Sequence, residues 1–271
     1  MKRKLFLFMA VIASLLLTVS AWAGSIQIKG STTVLPVAQK IAEQFMKEFP
    51  DISISISGGG SGNGIKALID GTTDIADSSR FIKDKEIKLA VSKGRYPVPF
   101  AVAYDCIVPV VHPSNPVSNL TLEQLKAIYT GRVKNWKDVG GEDRRIVVIS
   151  RDTSSGTYEV WEKKVLKGAR VYAGAQLQAS NGAVAQVVAK NKYAIGYLGI
   201  GYLNKDIKVV KVNGVTGTPA TALDGSFPIA RSLFMFTQGW PKGDVAKFIR
   251  YVLHPQKGQK LVREVGFVPL Y

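Results

Sequence analysis

The chain has 271 residues, of which 46% are hydrophobic and 21% charged, so it can build a packed core, and wholesale disorder, a collagen-like chain and a coiled coil are excluded. Its 36 Lys and Arg against 20 Asp and Glu give a formal charge of +16, a balance that calls for an anionic partner, large or small. A single cysteine rules out an intrachain disulfide framework.

Lys2, Arg3 and Lys4 precede the apolar run Leu5 to Val19, and Ala21-Trp22-Ala23 supplies the small-x-small pattern that signal peptidase cuts. Residues 1–23 therefore read as a secretory signal peptide cleaved after Ala23. The apolar run is too short for a membrane anchor of about 20 apolar residues, and no Cys follows the cut to take a lipid. The expected mature protein begins at Gly24, is periplasmic or secreted, and keeps nearly all of the basic excess.

From there strand patterns alternate with helix patterns, the mark of an α/β chain. Ile26 to Lys29 predicts a short strand, and Val34, Leu35, Ala38, Ile41, Ala42 and Phe45 predict a helix ending before Pro50. Ile52, Ile54 and Ile56 alternate with serines as a half-exposed strand, which leads through Gly58 to Gly64 into a short helix closed by Gly71. Val98 to Val111 is apolar and long enough to leave one domain and enter another. Cys106 lies inside it and is expected to be a buried structural thiol, because no His neighbours it.

Thr121 and Gln124 form a capping box that opens a helix to Tyr129, with Gly131 as its stop. Ile146 to Ile149 predicts a buried strand, Ser150 to Gly156 a polar turn, and the following stretch a helix carrying Tyr158, Trp161 and Val165. After a segment rich in Gly, Thr and Ala, Ile229 to Phe236 returns to strand, and helices close the chain. The expected lobes are residues 24–105 with 229–271, and residues 106–228.

Three strand-to-helix loops share one character: Ser31-Thr32-Thr33, Ser61-Gly62-Asn63-Gly64 and Ser154-Ser155-Gly156-Thr157. Each offers hydroxyls together with first-turn amides that have no intrahelical acceptor, at the positive end of a helix dipole. Any one of them can be read as ordinary capping, but three converging loops would bind a tetrahedral oxyanion. Arg151 ahead of the third loop offers a planar fork of donors, and Ser78-Ser79-Arg80 a further donor cluster.

These segments resemble the phosphate-binding proteins of Pst-type ABC transporters, within the type II periplasmic-binding-protein superfamily. The resemblance runs in order through Gly30 to Pro36, Gly59 to Gly64, Asp74 to Arg80, Gly131 to Trp136, Arg151 with Ser155-Gly156-Thr157, Ala194 to Tyr197 and Gly266 to Pro269. It implies two α/β lobes joined by a two-stranded hinge, with phosphate held in the cleft by Thr32, Thr33, Ser61, Ser79, Arg151, Ser155, Gly156 and Thr157. Ser31 and Arg80 flank that set and complete the candidate site. Gly131 to Trp136 and the Gly-Tyr strand look structural. Longer family members carry Asp where this chain has Ser79, and there the carboxylate accepts the proton of hydrogen phosphate. Here that task is unassigned; the candidates for it are Asp77 and Asp152, the latter equally able to pair with Arg151 and hold its fork in place.

The resemblance implies a binding protein that hands inorganic phosphate to membrane permease subunits, with no cofactor and no metal, and a monomer. The alternatives are another oxyanion such as sulfate or molybdate, or a sensor without transport. A serine hydrolase is disfavoured because Asn63 stands where the second glycine of Gly-x-Ser-x-Gly belongs, and no Gly-Lys-Ser/Thr marks a P-loop. His112 and His254 have no metal-ligand neighbours at useful spacing. Nucleic acid is a poor fit, since Lys83, Lys85, Lys88, Lys93 and Arg95 sit on a solvated helical face and a secreted protein does not meet cytoplasmic DNA. A basic surface instead steers small anions to a cleft, an effect that salt weakens.

Overall fold

A computed structural model describes residues 24–271; the expected signal segment, 1–23, lies outside the described residues. The chain opens with strand β1 (Gly24–Gly30), helix α1 (Leu35–Glu48) and strand β2 (Ile52–Ser57). α1 buries Val37, Ala38, Ile41, Ala42 and Phe45 along one stripe. Helix α2 (Ser61–Asp70) follows and ends at Gly71, whose φ of 74° is left-handed. Strand β3 (Ile75–Ser78) then lies parallel to β1 on the side opposite β2. Helix α3 (Asp84–Ser92) buries only Ala90 and carries Lys85 and Lys88 on its exposed surface, whereas Lys83 stands at its N-cap and pairs with Glu159, and Lys93 and Arg95 lie beyond its end, so only two of the five basic residues expected on one solvated face share this helix.

Strand β4 (Pro97–Val111) is the long apolar segment. The second lobe holds strand β5 (Asn119–Leu120), helix α4 (Leu122–Tyr129), strand β6 (Val147–Arg151) and helix α5 (Gly156–Trp161), which runs into a π-helical turn at Glu162–Leu166. Strand β7 (Gln176–Gln178), helix α6 (Asn181–Lys190) and strand β8 (Ala194–Gly199) follow, then the short strands β9 (Lys208–Val209) and β10 (Lys211–Val212) and helix α7 (Pro219–Leu223). Strand β11 (Ala230–Gln238) returns to the first lobe, which helices α8 (Gly243–Leu253) and α9 (Gly258–Glu264) complete. The predicted capping box forms, with Thr121 Oγ1 accepting from Gln124 N and Gln124 Oε1 from Thr121 N. β6 runs two residues beyond the predicted Ile149, because Ser150 and Arg151 pair with Leu177 and Gln178 of β7. Polar side chains hid that extension.

The strand order is β2-β1-β3-β11-β4-β8-β6-β7. β4 pairs antiparallel with β11 from Pro97 to Cys106 and with β8 from Ile107 to Val111. It therefore passes from one lobe's sheet to the other's without a break, and Ile107 N donates to Ile229 O (3.0 Å) beside it. These two strands are the hinge of a type II periplasmic-binding-protein fold. The first lobe has apolar layers on both sheet faces, one built on Ile28, Phe45, Met235 and Phe248 and the other on Ile65, Leu68 and Phe236. The second lobe packs around Val108, Ile149, Trp161 and Tyr197.

Trp161 and Tyr197 stack with centroids 4.3 Å apart, and Trp136 is buried with its Nε1 donating to Tyr193 O (2.9 Å). The Gly131 to Trp136 segment thus serves packing. The Cys106 thiol is buried 3.7 Å from Thr218 O, and burial pushes its pKa to about 12, which leaves it unreactive.

Candidate anion-binding cleft

The lobes meet over the ends of β1, β2, β3 and β6. Gly30 permits the first loop: its φ is 139°, and a Cβ there would fall 2.2 Å from Asp77 O. Beyond it Ser31 Oγ accepts from the amides of Thr33 and Val34 (3.1 and 3.3 Å) and fixes the turn into α1. That turn presents Thr32 and Thr33 to the other lobe. In the second loop Ser61 Oγ accepts from Ser79 N (3.0 Å) and lies 3.2 Å from Ser79 Oγ, joining α2 to the end of β3.

From the second lobe, Ser155 caps α5 through Tyr158 N (3.2 Å) and leaves the first-turn amides of Gly156 and Thr157 facing the first lobe. Thr157 Oγ1 is 2.9 Å from Thr33 Oγ1, and Gly62 N donates to Ser154 O (2.9 Å). The cleft is closed, with Ser31, Thr32, Thr33, Ser61, Ser79, Arg151, Ser155 and Thr157 all buried. Gly156 lies at the tightest point, where a Cβ would stand 2.4 Å from Ser61 Oγ.

Arg151 is 2% exposed. Its Nε and Nη2 are held by Gln178 O and Ala179 O (2.8 and 3.0 Å), while its buried Nη1 has no partner among the described residues. Burial above all, with repulsion from Arg231 adding to it, pulls this guanidinium below its ordinary pKa. A desolvated cation with an orphan donor is stabilised by an anion. Arg80 is placed differently. Its guanidinium is taken up by Glu86, Glu159 and Phe81 O, so it stands at the cleft's rim instead of turning its fork inward. Asp152 is engaged by its own loop, accepting from Ser154 N (2.8 Å). Asp77 is buried in the first lobe, and its Oδ1 has no partner among the described residues.

Four residues outside the sequence-derived set enter the cleft. Arg231 on β11 lies directly across from Asp105 on β4 and grips its Oδ2 through Nε and Nη2 (2.9 and 2.7 Å). The same guanidinium donates to Ser79 O (3.1 Å), Thr33 Oγ1 (3.3 Å) and Thr157 Oγ1 (3.1 Å), so it touches both lobes. Burial raises the Asp105 pKa, and Arg231 and the Ile200 amide oppose that rise. Asn181 Nδ2 donates to Thr32 Oγ1 and Thr33 Oγ1 (3.2 and 2.9 Å), and Tyr202 OH to Thr32 O.

Each had a signal. Arg231 and Asp105 are opposite charges in otherwise apolar strands, and Asn181 follows Ser180 at a helix start. What remains is a pocket rich in hydroxyl, amide and guanidinium donors, with the Asp105 carboxylate paired to Arg231. Both histidines bond locally, His112 to Ser114 and His254 to Gln256. No cluster of three or more His, Cys, Asp or Glu able to hold a metal occurs among the described residues.

A model of the PBP superfamily domain, the periplasmic-binding-protein family, matches residues 18–256. The chain belongs to this family. Phosphate-binding protein PstS of Bacillus subtilis is 32% identical to it over 92% of this chain and 81% of its own length. The PstS of Staphylococcus saprophyticus is 36% identical over 91% and 81%. A solved Clostridium perfringens substrate-binding protein named for phosphate ABC transport, with phosphate bound, superposes at a TM-score of 0.85 with 34% identity, covering 92% of this chain and all of that one. The two-lobe fold and the PstS resemblance read from the sequence are thereby borne out.

Proposed function

We propose that this family member captures inorganic phosphate outside the cytoplasm and delivers it to the membrane permease of an ABC importer. The observation that carries the reading is the closed cleft itself, in which the buried Arg231 guanidinium donates to hydroxyls from both lobes, Thr33 Oγ1 and Thr157 Oγ1, and the buried Arg151 keeps an unpartnered Nη1 among the described residues. Phosphate is held by Thr32, Thr33, Ser61, Ser79, Arg151, Ser155, Gly156 and Thr157, and Arg231 and Asn181 fix the two threonines. The lobes comprise residues 24–105 with 229–271 and residues 106–228. They close by bending at β4 and β11, which shields the anion from water and strengthens every donor contact. The signal segment accounts for export, and no helix among the described residues is long and apolar enough to cross a membrane.

Titration calorimetry on protein stripped of bound anion tests this, with phosphate, sulfate and molybdate in turn. One phosphate per chain is expected, bound more tightly than either competitor. No heat with phosphate, together with a melting temperature unmoved by millimolar phosphate, overturns the reading, because a ligand of the native state must stabilise it by mass action.

A further inference from the structure

Arg80 and Lys83 belong to the first lobe, and Glu159 to α5 of the second, one turn beyond the loop that carries Ser155 to Thr157. Glu159 Oε2 lies 2.8 Å from Arg80 Nε and 2.5 Å from Lys83 Nζ. Behind them Glu86 takes the other edge of the Arg80 fork, at 2.8 and 2.7 Å, and caps Lys83 N at 2.9 Å. Arg80, Glu159 and Glu86 are only 6%, 12% and 17% exposed, so salt screens this group less than a surface pair. Burial opposes the Arg80 charge, and the two glutamates outweigh it and hold the guanidinium above its ordinary pKa.

The position of the group is as informative as its strength. Two cavities flank it, of about 490 and 630 Å³. Both are lined by Lys83 and Glu159, one reaches Arg151, and the other reaches Arg231. Lys163, Lys164 and Arg170 add positive charge to these antechambers. The ion pairs between the lobes therefore stand on the approaches to both arginines of the cleft, and they can persist only while the lobes are closed.

Resting on the phosphate reading above, we infer that Glu159 is a positioning residue, a clasp gripped by Arg80 and Lys83 that holds the closed lobes together and sets the rate at which the anion leaves. It touches no anion itself. Its effect passes through the equilibrium between open and closed lobes, and a ligand that needs the closed form gains affinity by whatever the clasp adds to that form.

The test is Glu159→Gln, which keeps the shape and removes the charge, with Lys83→Met and the double variant beside it. Stopped-flow release of phosphate is expected to speed up on the order of ten-fold, within the usual span of coupling between sites, while the association rate changes by less than about two-fold. The double variant is expected to be no faster than Glu159→Gln, since losing the Glu159 charge already removes the Lys83 ion pair. A Glu159→Asp variant, which restores the charge on a shorter stem, should recover part of the lost residence time. Wild type that binds phosphate, with Glu159→Gln releasing it at the wild-type rate, overturns the clasp and leaves the phosphate reading intact. If wild type binds no phosphate, that reading fails and small-angle scattering without added anion decides: a radius of gyration larger for Glu159→Gln than for wild type upholds the clasp, and equal radii overturn it.

Discussion

Replacing Arg231 by Met tests the centre of the cleft most directly. The guanidinium makes five contacts: two to Asp105 Oδ2 at 2.9 and 2.7 Å, and one each to Ser79 O, Thr33 Oγ1 and Thr157 Oγ1. Methionine fills much of the same volume but strands Asp105, which is fully buried, with the Ile200 amide on its other oxygen at 3.0 Å. Removing one partner of a buried ion pair costs about 3–5 kcal/mol. In a chain of this size, at about 2–4 °C for each kcal/mol, the melting temperature should fall by roughly 6–20 °C. The Arg231→Met/Asp105→Asn double variant removes the uncompensated charge and still accepts from Ile200, so it should regain more than half of the loss. Calorimetric melting of the three proteins at neutral pH is the assay. A single variant that loses less than about 1 kcal/mol, or a double variant no more stable than the single, would refute the view that this pair is one electrostatic unit.

Arg151→Ala should weaken phosphate binding by about 2–5 kcal/mol, the usual loss on truncating a buried charge-assisted contact. Lys85→Ala, on the exposed face of α3, should alter only the association rate at low salt, and equal impairment of the two in calorimetry would remove Arg151 from the site. Gly156→Ala places a Cβ 2.4 Å from Ser61 Oγ and 2.8 Å from Ser79 Oγ. It should prevent full closure and leave the ligand-free melting temperature nearly unchanged, and compaction in scattering on adding phosphate equal to that of wild type would contradict it. Burial raises the Asp77 pKa well above its ordinary value, so the folded chain binds that proton more tightly than the unfolded chain does. The associated stability is present at acid pH and is lost as pH rises past the unfolded value of about 3.9 toward the folded one. Asp77→Asn should therefore raise the melting temperature at pH 8 and change it little at pH 4, and an equal effect at both would show that Asp77 is not a buried acid.

The alternation of strand and helix patterns was readable in the sequence because most helices bury one stripe and most strands are apolar on at least one side. The strand-to-helix loops were readable for the same kind of reason: Ser and Thr beside Gly mark a helix start, and a helix start is where free amides collect. Pairing across distance was harder. Nothing near Arg231 in sequence marks Asp105 as its neighbour, since the register of β11 on β4 joins them. Arg80 shows the converse, because adjacency to Ser79 placed it with the anion donors, while Glu86 and Glu159, the second of them from the other lobe, draw its fork to the rim. The end of β6 failed for another reason, as Ser150 and Arg151 look like turn residues until β7 is known to run beside them.

The position of β11 in the sheet bears on the order in which the chain can assemble. It lies between β3 and β4 and joins the parallel strands of the first lobe to the rest, yet it is built from residues 230–238, which follow the whole second lobe in sequence. Until those residues emerge from the ribosome, β3 has no partner on its inner edge, and the first lobe cannot close its apolar layers. The intervening residues of the second lobe are all made earlier. Contacts this distant in sequence form slowly, so the first lobe completes only after the whole of the second lobe's chain has been made.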